Sequence, residues 1–170
     1  MFKIHVREVP EQLVVFERRS VDQTQLVEWL PGAMGRVGKA AEGFGGVMDS
    51  SQPWLLRDGH PVAPVFIVIY EGNPNDGPVA VDVCAPISPD QKESSDLAVR
   101  RLPPHREAYV RLTKEQTVPA PKIGAAYGAV EEWVRAQGLE VAAAPREVYY
   151  TDFFSAAPTE EVFDVTFPIR

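Results

Sequence analysis

Glu147 sits in the run Arg146-Glu147-Val148-Tyr149-Tyr150, an alternating segment that reads as a strand. Glu147, Tyr149 and Thr151 then share one face. A carboxylate beside aromatic rings in a partly dry cleft has a definite chemistry. It offers a negative charge in a low dielectric to a delocalised cation, and the ring faces add cation–π attraction and stacking. A bulky cation gives up little hydration on entering, so one charge and aromatic walls can accept many shapes. The competing reading is structural, with Glu147 paired to Arg106, Arg111 or Arg146 at a strand edge. The residues alone favour the paired reading, because a buried glutamate ordinarily has a partner.

Other aromatics are candidates for the same cleft. Phe163 lies on a neighbouring strand and can reach the Glu147 face. Phe16 and Tyr109 hold equivalent places in the two halves of the chain and are candidates for the seam between them. Tyr127 and Trp133 lie on one helix, about 120° apart in phase, so they do not face the same neighbour squarely. Packing on a sheet is the ordinary role of each, and lining the cleft is the alternative. Trp54 follows Pro53 in a long stretch rich in Gly, Ser and Pro. It either closes over the cleft as a lid or tucks back onto the domain.

Most other chemistries find no support. Asp82 and Asp164 could act as acid and base, but matching loop caps in two related halves is the stronger expectation. His5, His60 and His105 lack metal-ligand spacing, and Cys84 is the only cysteine. Gly43-x-Gly45-Gly46 lacks the strand-then-helix setting and the Lys-Ser/Thr of a phosphate loop. No Ser-His-Asp elbow appears. No metal and no cofactor are expected.

The elements that must position these residues follow from alternation and turn signals. Phe2 to Val9 and Gln12 to Ser20 read as strands. Asp22 is a candidate N-cap for a helix carrying Leu26, Trp29 and Leu30, which Pro31-Gly32 should end or kink. Ala33 to Ala41 reads as a second helical piece. Glu42 to Ala63 reads as a long loop. Pro64 to Tyr70 is apolar on both faces and reads as a central strand. A turn over Glu71 to Pro78 leads into a strand over Val79 to Ile87. Ser88 to Asp96 is a polar linker. Strands then follow at Leu97 to Leu102, Glu107 to Thr113, Arg146 to Asp152 and Val162 to Ile169. Lys122 to Gln137 is a helix with Ile123, Tyr127, Val130 and Val134 on one face and Gly138 behind it.

The second half repeats the first. Val6-Arg7-Glu8-Val9-Pro10 matches Val99-Arg100-Arg101-Leu102-Pro103, and the same offset pairs Phe16 with Tyr109. Glu28-Trp29 matches Glu132-Trp133. Val81-Asp82-Val83-Cys84-Ala85-Pro86-Ile87 matches Phe163-Asp164-Val165-Thr166-Phe167-Pro168-Ile169. The matches keep their order, and the Trp29-to-Tyr70 interval exceeds the Trp133-to-Tyr149 interval by the Gly/Ser/Pro-rich loop, where insertions cost little. The expected organisation is one domain over 1–170, with a first repeat 1–87, a linker 88–96 and a second repeat 97–170. The expected class is α+β: two strand–helix–strand–strand units about a pseudo-twofold axis, an antiparallel sheet with helices on one face, and a central ligand cleft.

The totals narrow the class of partner. A net charge of −7 disfavours phosphate backbones and mildly favours cations, so direct nucleic-acid binding is not expected. The longest largely apolar run, Pro61 to Tyr70, is too short to span a bilayer, and the N-terminus lacks the pattern of a signal peptide. The expected location is cytoplasmic, without membrane contact.

The residues then resemble the GyrI-like small-molecule-binding domain, the effector-binding domain of AraC-type and MerR-type regulators. The resemblance covers nearly the whole chain. It rests on Arg106-Glu107-Ala108-Tyr109-Val110-Arg111, the helix Ala125 to Val134, Pro145-Arg146-Glu147-Val148-Tyr149 and the closing Glu161 to Ile169. It implies two units with a cleft between them that binds bulky hydrophobic, often cationic, compounds. Aromatic side chains line that cleft, and a glutamate of the Glu-x-Tyr strand, here Glu147, lies at its floor. The family's Gly-Pro-Tyr-like turn is replaced by Thr113 to Pro119. With the fold starting at Phe2, a stand-alone member without a DNA-reading part is expected.

The leading expectation is therefore a polyspecific binding protein that sequesters or senses such compounds. Glu147 supplies charge, and Tyr149, Phe163, Tyr109, Phe16 and Trp54 supply walls. The alternative, which some stand-alone relatives suggest, is a hydrolase of cyclopropane-bearing electrophiles in which Glu147 works with the hydroxyl of Tyr149 or Tyr127. A third reading is a module that regulates a protein partner through the acidic segment Glu71 to Asp96, which otherwise serves as a solvated face.

Overall fold

Alternating β-branched runs form ten strands around two helices in the described part of the chain. The computed structural model describes residues 2–43, 55–57, 60–62, 66–87, 98–117, 121–150 and 153–170. The order is β1 (His5–Val9), β2 (Gln12–Val21), α1 (Gln23–Gly43), β3 (Leu55–Arg57), β4 (His60–Val62), β5 (Phe66–Tyr70), β6 (Val79–Pro86), β7 (Ala98–Leu102), β8 (His105–Thr113), α2 (Pro121–Ala136), β9 (Arg146–Tyr149) and β10 (Glu161–Ile169). β3 and β4 form a separate two-stranded sheet. The expected linker Ser88 to Asp96 lies outside the described residues, as do Trp54 and Thr151.

Eight strands form one antiparallel sheet in the order β1-β8-β10-β9-β5-β6-β2-β7. Exchanging the strands of one half for those of the other reverses this order and leaves it otherwise unchanged. That is the mark of a pseudo-twofold axis between the central strands β5 and β9. Each half opens with one strand more than the expected unit, and that strand crosses over: β1 pairs with β8, and β7 pairs with β2.

Those crossovers curl the sheet. Only Pro10 and Glu11 separate β1 from β2, yet the two strands lie near opposite ends of the order. An extended chain advances at most ~3.6 Å per residue, so Val9 and Gln12 lie within roughly 11 Å. Pro103 and Pro104 impose the same limit between β7 and β8. An open flat sheet cannot meet either constraint, and a half-barrel meets both.

Both helices lie against one face. α1 packs on β2 and β6, and α2 packs on β8 and β10, so the central pair β5–β9 lies between their footprints. Asp22 caps α1 as expected: its Oδ1 accepts from the Gln25 backbone N–H, and the Gln25 side chain accepts from the Asp22 N–H. The helix does not break at Pro31. Pro31 and Gly32 are exposed while Leu26, Trp29, Ala33, Met34, Val37 and Ala41 are buried, so water can reach the backbone that the proline disrupts. α2 ends as its sequence indicates, with Gly138 at φ 72° and the Leu139 N–H bonded to the Val134 carbonyl.

The sheet therefore has two buried faces. Val68, Val83, Val110, Leu112 and Val165 meet the helices, and burying each contributes ~1.5–3 kcal/mol. On the other face Val14, Ile67, Ile69, Cys84 and Val148 fill the inside of the curl with a set of paired charges. No helix among the described residues is long and apolar enough to cross a membrane.

Candidate functional site

Glu147 lies on the helix face of β9, at the centre of the sheet. Its neighbours across the strands are Val68 on β5 and Val165 on β10. The duplication fixes the place further. Tyr70 lies opposite Val81, and Tyr149 lies opposite Phe163, the residue that matches Val81 in the other repeat. Tyr70 and Tyr149 are thus equivalent, and two residues earlier so are Val68 and Glu147. Val68 and Glu147 are also each other's direct partners, so the pseudo-twofold axis passes between them. One carboxylate occupies the axis, and a valine holds the place symmetry would give its twin.

The side chain is 4% exposed, and among the described residues no cation pairs with it. Its partners are phenols. The Tyr149 hydroxyl makes a long hydrogen bond of 3.4 Å to Glu147 Oε2, and the Tyr70 hydroxyl also donates to the carboxylate. Burial pushes the carboxyl up to about 7, against the opposing pull of these two hydrogen bonds. Burial likewise pushes the Tyr70, Tyr127 and Tyr149 phenols well above the ordinary tyrosine range, and the nearby carboxylate adds to it. A titratable acid thus sits in a dry setting among hydroxyls that stay protonated.

Aromatic rings continue the site along β9 and β10. The Tyr149 and Phe163 rings lie 4.7 Å apart, and Phe153 stands 6.3 Å from Phe163. Tyr127 on α2 meets Phe167 edge-on at 6.0 Å. Phe66 shares this face opposite Tyr149 and approaches α1 where Gly38 leaves room for its ring. Trp133 is half-buried on α2 against the same core. Of the residues singled out from sequence, Glu147, Tyr149, Phe163 and Tyr127 come together here.

Phe16 and Tyr109 do not join them. Both stand on the opposite face, because alternation in β2 and β8 turns Val15, Ala108 and Val110 to the helices instead. Tyr109 lies 5.5 Å from the His5 ring and 4.0 Å from the Arg7 guanidinium, and Arg100 lies 4.6 Å from the Phe16 ring. Tyr70, Phe66 and Phe153 went unnoticed in the sequence. The equivalence of Tyr70 and Tyr149 was the available signal for the first of these.

The arginines that might have paired with Glu147 are otherwise placed. Arg111 binds Asp164, Arg106 reaches toward Glu8, and Arg146 points to the other face. Asp82 and Asp164 are not loop caps. Each lies inside a strand, 0% exposed, and is held by two arginines: Asp82 by Arg18 and Arg100, Asp164 by Arg111 and Arg7. The two clamps are equivalent under the duplication, and their distances run from 2.5 to 2.8 Å. Both aspartates are fully engaged in these ion pairs. Among the described residues no group of three or more His, Cys, Asp or Glu is placed to hold a metal.

Comparison with known proteins yields no matching family model and no matching curated protein sequence. Solved structures do match over the whole chain. The C-terminal domain of EcmrR aligns with a TM-score of 0.72 at 17% identity, covering 100% of this chain and 98% of that one. In the EcmrR–DNA complex this chain spans 57% of the longer EcmrR chain. A hydrolase from Listeria innocua aligns at 0.60 with 11% identity, covering 99% and 92%. SAV2435 bound to tetraphenylphosphonium aligns at 0.55 with 12% identity, covering 99% and 94%. The chain shares its fold, a curled eight-stranded antiparallel sheet with two helices on one face, with the C-terminal domain of EcmrR.

Proposed function

We propose that this protein binds bulky hydrophobic compounds, cationic ones by preference, in the space over Glu147, and that it does so polyspecifically as a sequestering or sensing protein. One observation carries the reading: a carboxylate at the pseudo-twofold axis, buried between the two helix footprints, with phenols for partners and no cation among the described residues. Leaving such a charge unpaired is costly. A delocalised cation lowers that cost, and Tyr149 and Phe163 offer it ring faces. The same fold is seen in SAV2435 with tetraphenylphosphonium, a cation of this kind. Titration with tetraphenylphosphonium and with neutral triphenylphosphine oxide tests the reading. Glu147→Gln is expected to weaken the cation much more than the neutral compound. Equal losses for both would remove the electrostatic role.

A second reading has its own support. A carboxyl held at about 7 beside protonated phenols suits proton transfer near neutral pH. That arrangement would serve a hydrolase opening cyclopropane-bearing electrophiles, with Glu147 positioning water and Tyr149 or Tyr127 donating a proton. Release of a hydrated product over many turnovers distinguishes it from binding, and stoichiometric retention of unchanged compound excludes it.

A further inference from the structure

Among the described residues the inside of the curled sheet, the face turned away from Glu147, carries more positive than negative charge. Arg7, Arg18, Arg100, Arg111 and Arg146 line it against Asp82, Asp164 and Glu107, with exposed Glu71 acting on Arg18 and Arg146. This excess occurs in a chain whose net charge is −7. Four of the five arginines belong to the two aspartate clamps. Glu107, the third carboxylate, is held by Arg7 and by His105 at 2.8 Å each.

Arg146 makes no direct ion pair among the described residues, although the charges of Glu107 and Glu71 act on it. It is 8% exposed, and its one hydrogen bond is a long 3.4 Å contact from Nη2 to the Ala144 carbonyl. Its Nε has no partner among the described residues. Thr166, directly across on β10 and 0% exposed, has an Oγ1 that is likewise without one. Residues opposite each other on antiparallel strands have Cβ atoms ~4.5–5.5 Å apart, so one small group can reach both. The Nε of Arg100 is a third buried donor without a partner among the described residues; this guanidinium lies near Arg146 and bonds toward the Cys84 thiol. Buried donors left unmade cost ~1–3 kcal/mol each and call for an explanation. The duplication supplies none, because the residue equivalent to Arg146 is Ile67. Arg146 is an addition to the shared scaffold.

We propose that the inside of the curled sheet holds a site for a small monovalent anion, of carboxylate or halide size, between Arg146 Nε and Thr166 Oγ1 with Arg100 at its edge. A carboxylate would accept from the guanidinium with one oxygen and from the threonine hydroxyl with the other, the short charge-assisted geometry that arginine favours. Because the site exists only in the folded chain, its occupant stabilises the fold.

The test is an NMR titration of the arginine Nε–Hε correlations of the whole chain with sodium formate and, separately, sodium chloride. Ionic strength is held constant with a bulky sulfonate. The Arg146 signal, assigned by its loss in Arg146→Met, is expected to shift saturably while that of exposed Arg170 does not. Thr166→Val is expected to weaken the response by roughly tenfold, the effect of one lost hydrogen bond to a charged group. Saturation by formate alone identifies a carboxylate-bearing occupant, and saturation by both salts identifies a general small-anion site. An unmoved Arg146 signal, or a linear drift shared with Arg170, overturns the proposal and leaves the donors to ordered water.

Discussion

Asp164 and Glu147 are both fully buried, sit on adjacent strands, and behave in opposite ways. Asp164 takes two arginines and closes its electrostatics within the fold. Glu147 takes phenols and leaves its charge open. The contrast follows from which face each occupies and from symmetry. The clamp at Asp164 has a twin at Asp82, as expected of a device inherited by both halves. Glu147 has no twin, because Val68 stands in its symmetric place on the axis. The scaffold is what the duplication repeats, and the candidate site is where the repetition fails.

The clamp side should break first. Asp164→Ala leaves Arg7 to Glu107 and takes from Arg111 the carboxylate it shares with Arg7; these arginine side chains are only 10% and 15% exposed, and the loss should cost ~3 kcal/mol in a urea titration. Asp82→Ala should cost clearly less, because Arg18 and Arg100 are 49% and 33% exposed and can turn to water. Equal costs would contradict the assignment of a dry and a wet clamp.

The Glu147 side should respond in the other direction. Burial pushes its carboxyl up to about 7 in the folded chain, from an ordinary value of 4.5. The folded state therefore binds this proton more tightly. Its stabilising effect is complete below pH 4.5 and is lost as the pH rises to 7. Glu147→Gln should be more stable than the wild type at pH 8 by roughly 3 kcal/mol and match it at pH 4. A variant less stable at both values would mean that Glu147 has a structural partner.

Smaller effects sharpen the picture. Tyr70→Phe removes a hydrogen bond that favours the ionised carboxylate, so the Glu147 midpoint should move above 7, as followed by carboxyl carbon chemical shifts. Phe16→Ala should leave affinity for a bulky cation nearly unchanged, since its ring faces Arg100 inside the curl.

Much of this was legible in the sequence, and the exceptions have physical causes. Glu147 and Tyr149 were placed on one face by alternation alone, and the short matches around Val6, Trp29 and Val81 revealed the repeat because the halves kept their order. Alternation could not say which face of β2 or β8 meets the helices, because both faces are buried and the deciding pairings, β1 with β8 and β7 with β2, join distant parts of the chain. Phe16 and Tyr109 were misplaced for that reason. The clamps were hidden for the same reason, since an arginine on another strand gives no local signal of its aspartate. Pro31 marked a helix end that solvent on its side of α1 made unnecessary.

The central claim is that the open charge of Glu147 attracts the ligand, and affinity for tetraphenylphosphonium measured from pH 6 to pH 8 tests it most directly. With a midpoint at about 7, the wild type should bind roughly tenfold more tightly at pH 8 than at pH 6, and Glu147→Gln should bind weakly and equally at both. A wild-type affinity that does not change with pH, or a glutamine variant that binds as well as the parent at pH 8, would contradict it.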